Sequence, residues 1–266
     1  MKNTFKKLFI SFTVLSLTAC GSTTMQDNTF AAKENKDFTK YTNQLVVEYA
    51  ENDYTTMHQF FEHPEDYGID VNKVDISLGE FYTDNTEEIK EDQKELKKFN
   101  RSTLDKTQQT IYDELKYENE LSLKAENKKF QYLNNCWSTM SGLHQSLISV
   151  FSEYILRNEQ DIKDLITLIN DVPRYTNDVL EYTKEQADKN TLQFDYDSVT
   201  QDIQNVINNK EDSSVVSALY SAIEALNLDA EKTTSYKTQV KEAMDTSFFP
   251  SYQAMLDTLT SLQSKV

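Results

Sequence analysis

Glycine, proline and histidine are all scarce in this 266-residue chain, which holds 4 Gly, 3 Pro and 3 His. Four glycines cannot supply the turns of a many-stranded sandwich or barrel, so an all-β architecture is excluded. Basic residues are in deficit as well: 27 Lys plus Arg stand against 44 Asp plus Glu, for a net charge of −17. A nucleic-acid binder needs clustered cations to neutralise phosphates, so no nucleic-acid partner is expected. Two cysteines, Cys20 and Cys136, are too few for a disulfide framework. What the chain does have is 38% hydrophobic and 11% aromatic residues, spread along its length. That content argues against disorder and suffices for a real core.

The N-terminus carries the most specific local pattern. Lys2, Lys6 and Lys7 form a positive start, and Leu8 to Leu17 is an apolar stretch too short to span a bilayer. It ends in Leu17-Thr18-Ala19-Cys20, followed by Gly21. This run resembles the bacterial lipobox, in which small residues before a cysteine admit the lipoprotein signal peptidase. The resemblance implies a signal peptide over residues 1–19, and a lipid on the Cys20 sulfur that makes the membrane a partner. Two or more acyl chains, at roughly 0.8 kcal/mol per buried CH₂, hold a protein lastingly where one chain does not. Residues 20–35 read as a polar tether, and residues 36–266 as an all-helical domain. The expected location is the outer face of the bacterial cell membrane. Cleavage removes three of the 27 basic residues and no acids, leaving −20, so the body is held off an anionic surface. Cys136 is then left without a partner in the chain and reads as a small buried hydrophobe beside Trp137.

Beyond residue 36 the apolar residues recur at helical spacing. Phe38, Tyr41, Leu45 and Tyr49 share one face; Leu143, Leu147, Val150, Phe151 and Tyr154 share another; Ile162, Leu165, Ile166 and Ile169 share a third. Similar stripes run through Val199, Ile203, Val206 and Ile207, and through Val215, Leu219, Ile223 and Leu226. The predicted fold is all-α, a multi-helix bundle of largely antiparallel helices. Asn158 caps the helix that holds Ile162, with Asp161 three residues on. Pro173 opens the next helix, which runs to about Lys189. Asp197 or Ser198 caps the one after it. Residues 62–84 form the one long irregular connection, and Glu87 to Lys98 an outer helix with Ile89 and Leu96 on its inner side. Between Ala230 and Gln263, Pro250 kinks or restarts the last helix.

Candidates for chemistry are few. His58 and His63 lie five apart, roughly 140° around a helix, whereas a zinc pair on a helix sits at i and i+4. No metal role is expected for them, and His58 reads as part of a polar helix end. His144 starts an apolar helix after Gly142, as a structural residue or one that lines a cleft. Neither a Gly-x-Ser-x-Gly nucleophile motif nor a glycine-rich phosphate loop is present. No catalytic and no metal-binding residue is predicted.

Three stretches taken in order carry a family resemblance. The first is Asp53-Tyr54-Thr55-Thr56-Met57-His58, then His63-Pro64-Glu65-Asp66-Tyr67-Gly68-Ile69 and Leu78-Gly79. The second runs from Gly142 through Gln145 and Leu147 to Glu153-Tyr154, without the usual proline after the leucine. The third is Asp161-Ile162 through Leu168, Val172 and Tyr175 to Lys184 and Ala187. Together, over roughly residues 36–263, they resemble the bacterial family called domain of unknown function 885. The resemblance implies a helical scaffold related to zinc metallopeptidases, with His58, Tyr67 and His144 as candidates for lining a cleft. The family's metal motif, His-Glu-x-x-His, belongs to a C-terminal half, and this sequence has no His-Glu dipeptide. No cofactor is therefore expected, and zinc only if such a half exists.

Three functions remain open at this level. The chain is the N-terminal half of a surface-anchored metallopeptidase, inactive alone and partnered by a complementary C-terminal half. It is a non-enzymatic lipoprotein that binds peptides or envelope components. Or it is a structural lipoprotein that docks partners. The first carries a physical expectation: Phe248, Tyr252, Met255 and Leu259 should lie open to solvent.

Overall fold

A computed structural model describes residues 33–81 and 84–266. The leader, Cys20 and the tether as far as residue 32 lie outside the described residues. In chain order the helices are α1 (Lys36–Asn52), α2 (Tyr54–Phe60), α3 (Thr86–Leu96), α4 (Lys106–Ala125) and α5 (Leu143–Ser152). They continue with α6 (Glu159–Asp188), α7 (Tyr196–Asn208), α8 (Ser214–Ala225), α9 (Ala230–Ala243) and α10 (Phe249–Ser261). Single 3₁₀ turns punctuate the connections, and no strand occurs among the described residues. The predicted all-α class is the one observed.

The described residues fall into two compact units, one of 33–52, 63–74 and 84–131 and the other of 53–62, 75–81 and 132–266. In the first unit α1, α3 and α4 close over Phe38, Leu45, Leu96, Leu104 and Leu115. Phe38 meets Phe99 edge-on at 5.1 Å, and complete burial of such a ring stabilises by about 1.5–3 kcal/mol. Gln108 joins two helix starts. Its side chain completes a capping box with Asp105, accepts from the Asn35 N–H at 2.9 Å and donates to the Asn35 carbonyl at 2.9 Å. The charged α3 buries only Ile89 and Leu96, as the sequence predicts.

The second unit is organised by α6, a 30-residue helix about 45 Å long. Its start follows expectation: Asn158 and Asp161 form a full capping box. Pro173 does not follow it. The sequence reading opens a new helix there, yet Pro173 sits inside α6 with its ring exposed. An interior proline costs about 3 kcal/mol through the lost N–H and the clash one turn back. Ile169 and Val172 before it and Val179 and Leu180 after it are all buried. At about 1.5–3 kcal/mol each, that continuous apolar face outweighs the proline. The cap of α7 is also corrected: Asp195 accepts from the Ser198 N–H, where the sequence reading chose Asp197 or Ser198.

The connection between α4 and α5 is irregular from Glu126 to Gly142, so residues 62–84 are not the sole long irregular segment. At the C-terminal end a π turn, Met244–Phe248, separates α9 from α10, and Pro250 lies in the first turn of α10. The expected exposure there is absent. Phe248, Tyr252, Met255 and Leu259 are each 0% exposed, packed where α10 and the π turn meet α6 and where α10 meets α7.

Candidate functional site

Two pockets in the second unit share Thr55 and Val150 in their walls. The larger, about 240 Å³, gathers residues from four places besides Thr55 of α2. Leu78 and Phe81 come from the 75–81 segment, Asn134, Asn135, Cys136 and Ser141 from the irregular stretch before α5, Leu143, Ser146 and Leu147 from α5, and Tyr175 and Val179 from α6.

Local chemistry fixes each wall. The 75–81 segment is tied to α6: the Leu78 N–H donates to Asp171 Oδ2 at 2.8 Å, and Arg174 donates to the Gly79 carbonyl at 2.8 Å while gripping Asp171 at 2.6 and 2.7 Å. Gly79 takes a φ of 73°, a backbone that disfavours any side chain. Phe81 lies edge-on to Tyr182 at 5.2 Å. The stretch before α5 is anchored by its one tryptophan, whose Nε1–H donates to Thr183 Oγ1 at 2.9 Å. Gln186 donates to the carbonyls of Tyr132 and Asn134, both at 2.9 Å. Gly142 closes the turn, because a Cβ there would stand 2.5 Å from the Ser138 carbonyl oxygen.

The smaller pocket, about 220 Å³, is lined by His58, Gln59, Ser149, Glu153, Tyr154 and Ile155 besides the shared pair. Tyr54 and His58 stand at i and i+4 on one face of α2. The His58 ring lies flat against Tyr154 (4.4 Å between centroids, 9° apart) and Tyr54 (5.5 Å, 11°). Its Nε2 is 2.7 Å from the Ile155 carbonyl, so that nitrogen carries the hydrogen in the neutral ring. The Tyr54 hydroxyl donates to Asp164 Oδ2 at 3.0 Å and lies 2.8 Å from the Tyr154 hydroxyl. Asp161 Oδ1 stands 4.0 Å from Nδ1, and Arg157 Nη1 stands 3.4 Å from Nε2. Burial lowers the His58 pKa and Arg157 adds to it, against the Ile155 carbonyl, Asp161 and Asp164. Burial pushes both tyrosines far above the ordinary phenol range. This is a closed hydrogen-bonded cluster with His58 on the pocket side.

The other sequence candidates lie elsewhere. His144 is 1% exposed and belongs to neither pocket wall. Both of its ring nitrogens lack a hydrogen bond, with Asp202 Oδ2 3.9 Å from Nε2, and burial lowers its pKa. Tyr67 belongs to the first unit, in the turn before Gly68, and is 63% exposed. His63 is also exposed, beside Glu65 at 3.7 Å. Cys136 is buried, and burial pushes its thiol up to about 12, which keeps it protonated and unreactive at neutral pH. Among the described residues no group of three or more His, Cys, Asp or Glu is placed to hold a metal ion, and no helix is long and apolar enough to cross a membrane.

Sequence reasoning missed Tyr54, Tyr154 and Asp164 as partners of His58, and Asn134 and Asn135 as wall residues. The Tyr54–His58 spacing was a usable signal; nothing local marks the others. Helices throughout, a groove in one unit and a His–Tyr–Asp cluster at its edge define the class of protein only as all-helical. The family model described as "Bacterial protein of unknown function (DUF885)" matches residues 67–266, and the chain belongs to that family. No curated protein and no solved structure matches the chain.

Proposed function

We propose that this DUF885 member is an exported lipoprotein, anchored through Cys20 to the outer face of the cell membrane, that works by binding a ligand non-covalently. The observation that carries the binding reading is the pair of adjoining pockets in the second unit, built from segments that buried side chains hold in place. A catalytic reading has less support. The metallopeptidase chemistry implied by the resemblance needs ligands for a Lewis acid, and no His-Glu-x-x-His string occurs within these 266 residues. The half-enzyme reading also loses its physical expectation, since Phe248, Tyr252, Met255 and Leu259 are covered by this chain itself.

The anchoring is tested by labelling expressing bacteria with a radioactive fatty acid. Label should appear on the wild type and vanish in Cys20→Ala, which should leave the detergent phase on phase separation. The binding reading is tested by ligand-observed NMR of the purified protein with short peptides, with and without a chelator. Saturation transfer that survives chelation, with no peptide cleaved, is expected. Peptide hydrolysis abolished by the chelator would overturn it.

A further inference from the structure

Thirteen residues line the larger cleft, and none of them is Asp, Glu, Lys, Arg or His, in a chain whose residues are 27% charged. A ligand charge entering such a wall would give up part of its hydration with no opposite charge to pair with. The wall is not simply greasy, however. Seven of its residues are aliphatic or aromatic, Tyr175 with a hydroxyl of its own, and five more are carboxamides or aliphatic hydroxyls.

Three of the wall's four hydroxyls, all but that of Tyr175, are already committed in one direction. Thr55 Oγ1 donates to Asp53 Oδ1 at 2.7 Å, Ser141 Oγ to Ser138 Oγ at 3.3 Å, and Ser146 Oγ to the Ser141 carbonyl at 3.2 Å. Each spends its one hydrogen on the protein and has lone pairs left over. Asn135 uses its Oδ1 to accept from the Trp137 N–H at 3.1 Å, which leaves its NH₂ as a donor. The Asn134 main chain is engaged through its N–H to Tyr182 and its carbonyl to Gln186, so its side chain is the part that remains for the cleft.

A matching group must therefore both donate, to hydroxyl lone pairs, and accept, from carboxamide N–H groups. A carboxylate cannot donate and an ammonium cannot accept. An amide does both without charge. The apolar majority of the wall asks for an apolar body beside that amide, which a polyol lacks. The volume, about 240 Å³, lies below the roughly 300–1,000 Å³ of sites for drug-sized ligands, so one small residue-sized group is what fits.

We infer that the larger cleft is a binding site for an uncharged amide carried on a compact apolar body. This rests on the binding reading above and adds the chemical class of the ligand and the atoms that read it. The single tryptophan, Trp137, lies behind the wall, next in sequence to the lining residues Asn135 and Cys136, and serves as a built-in reporter.

The experiment titrates the intact protein with four probes, followed by Trp137 emission and ligand-observed NMR. The probes are N-acetyl-leucinamide, N-acetyl-leucine, leucinamide and a neutral disaccharide. The doubly capped amide should bind, and the carboxylate and ammonium analogues should bind at least about tenfold more weakly, a difference of about 1.4 kcal/mol. Ser146→Asp, which brings a negative charge into the wall at an exposed position, should weaken the capped amide by a similar factor while circular dichroism stays unchanged. Asn135→Leu gives a second variant should the first fold poorly, and it too should weaken the capped amide. Preference for a charged analogue or for the disaccharide overturns this inference and leaves the binding reading standing. Silence of all four probes, with peptides bound elsewhere on the protein, overturns it as well. If peptides are also silent, the binding reading falls with it.

Discussion

The surroundings of His58 and His144 lie in the same unit and treat the same side chain in opposite ways. Both rings are buried against aromatic neighbours, two tyrosines in one case and Trp137 at 6.4 Å in the other. At His58 the nitrogen that carries hydrogen meets a carbonyl, and the neighbouring hydroxyls form a network ending on Asp164. At His144 neither nitrogen is satisfied, although its own carbonyl accepts from the Tyr252 hydroxyl. The difference teaches that burial alone does not mark a site. His58 is polar, paired and on a pocket wall; His144 acts as a shape that fills space under Trp137 and withholds its polar atoms from solvent.

The largest way to break this contrast is Trp137→Ala. It removes the ring beside His144 and the donor to Thr183, and large-to-small changes of this kind cost about 3–5 kcal/mol. A urea midpoint followed by circular dichroism should fall accordingly. His58→Phe keeps a ring between the tyrosines but strands the Ile155 carbonyl, so a loss of about 1–3 kcal/mol is expected in the same measurement.

The pH dependence sharpens the contrast further. Both histidines have folded pKa values below the ordinary 6.5. Above that value folded and unfolded chains are equally neutral at these sites. Below it the unfolded chain binds protons that the folded chain refuses, so stability falls as pH drops from 7.5 to 5.5. Urea midpoints across that range should decline, and His144→Phe should flatten part of the decline. A midpoint that rises on acidification would contradict both assignments. The smallest effect is expected from His144→Phe at pH 8. With no hydrogen bond to lose, an apolar ring of similar size should be neutral or stabilising by up to about 1 kcal/mol. A loss as large as that of His58→Phe would erase the distinction between the two regions.

Helices were legible in this sequence because their apolar spacing is a local property, and so was the Asn158 cap three residues ahead of Asp161. Pro173 was misread because the same local rules carry no record of the face that Ile169, Val172, Val179 and Leu180 bury together. The irregular stretch before α5 passed unnoticed since its polar residues follow a charged helix without a break in composition. The larger cleft was beyond sequence reading altogether. Its wall joins Phe81, Asn135 and Tyr175, residues far apart in the chain and belonging to no motif.

Arg174 lines neither pocket, yet its guanidinium rivets the Gly79 carbonyl to the Asp171 carboxylate and so sets how tightly Leu78 and Phe81 press toward the groove. The breadth of the groove is thereby governed from outside it, by a residue that forms no part of its wall. A substitution at this one position would reset that breadth and leave every wall side chain untouched.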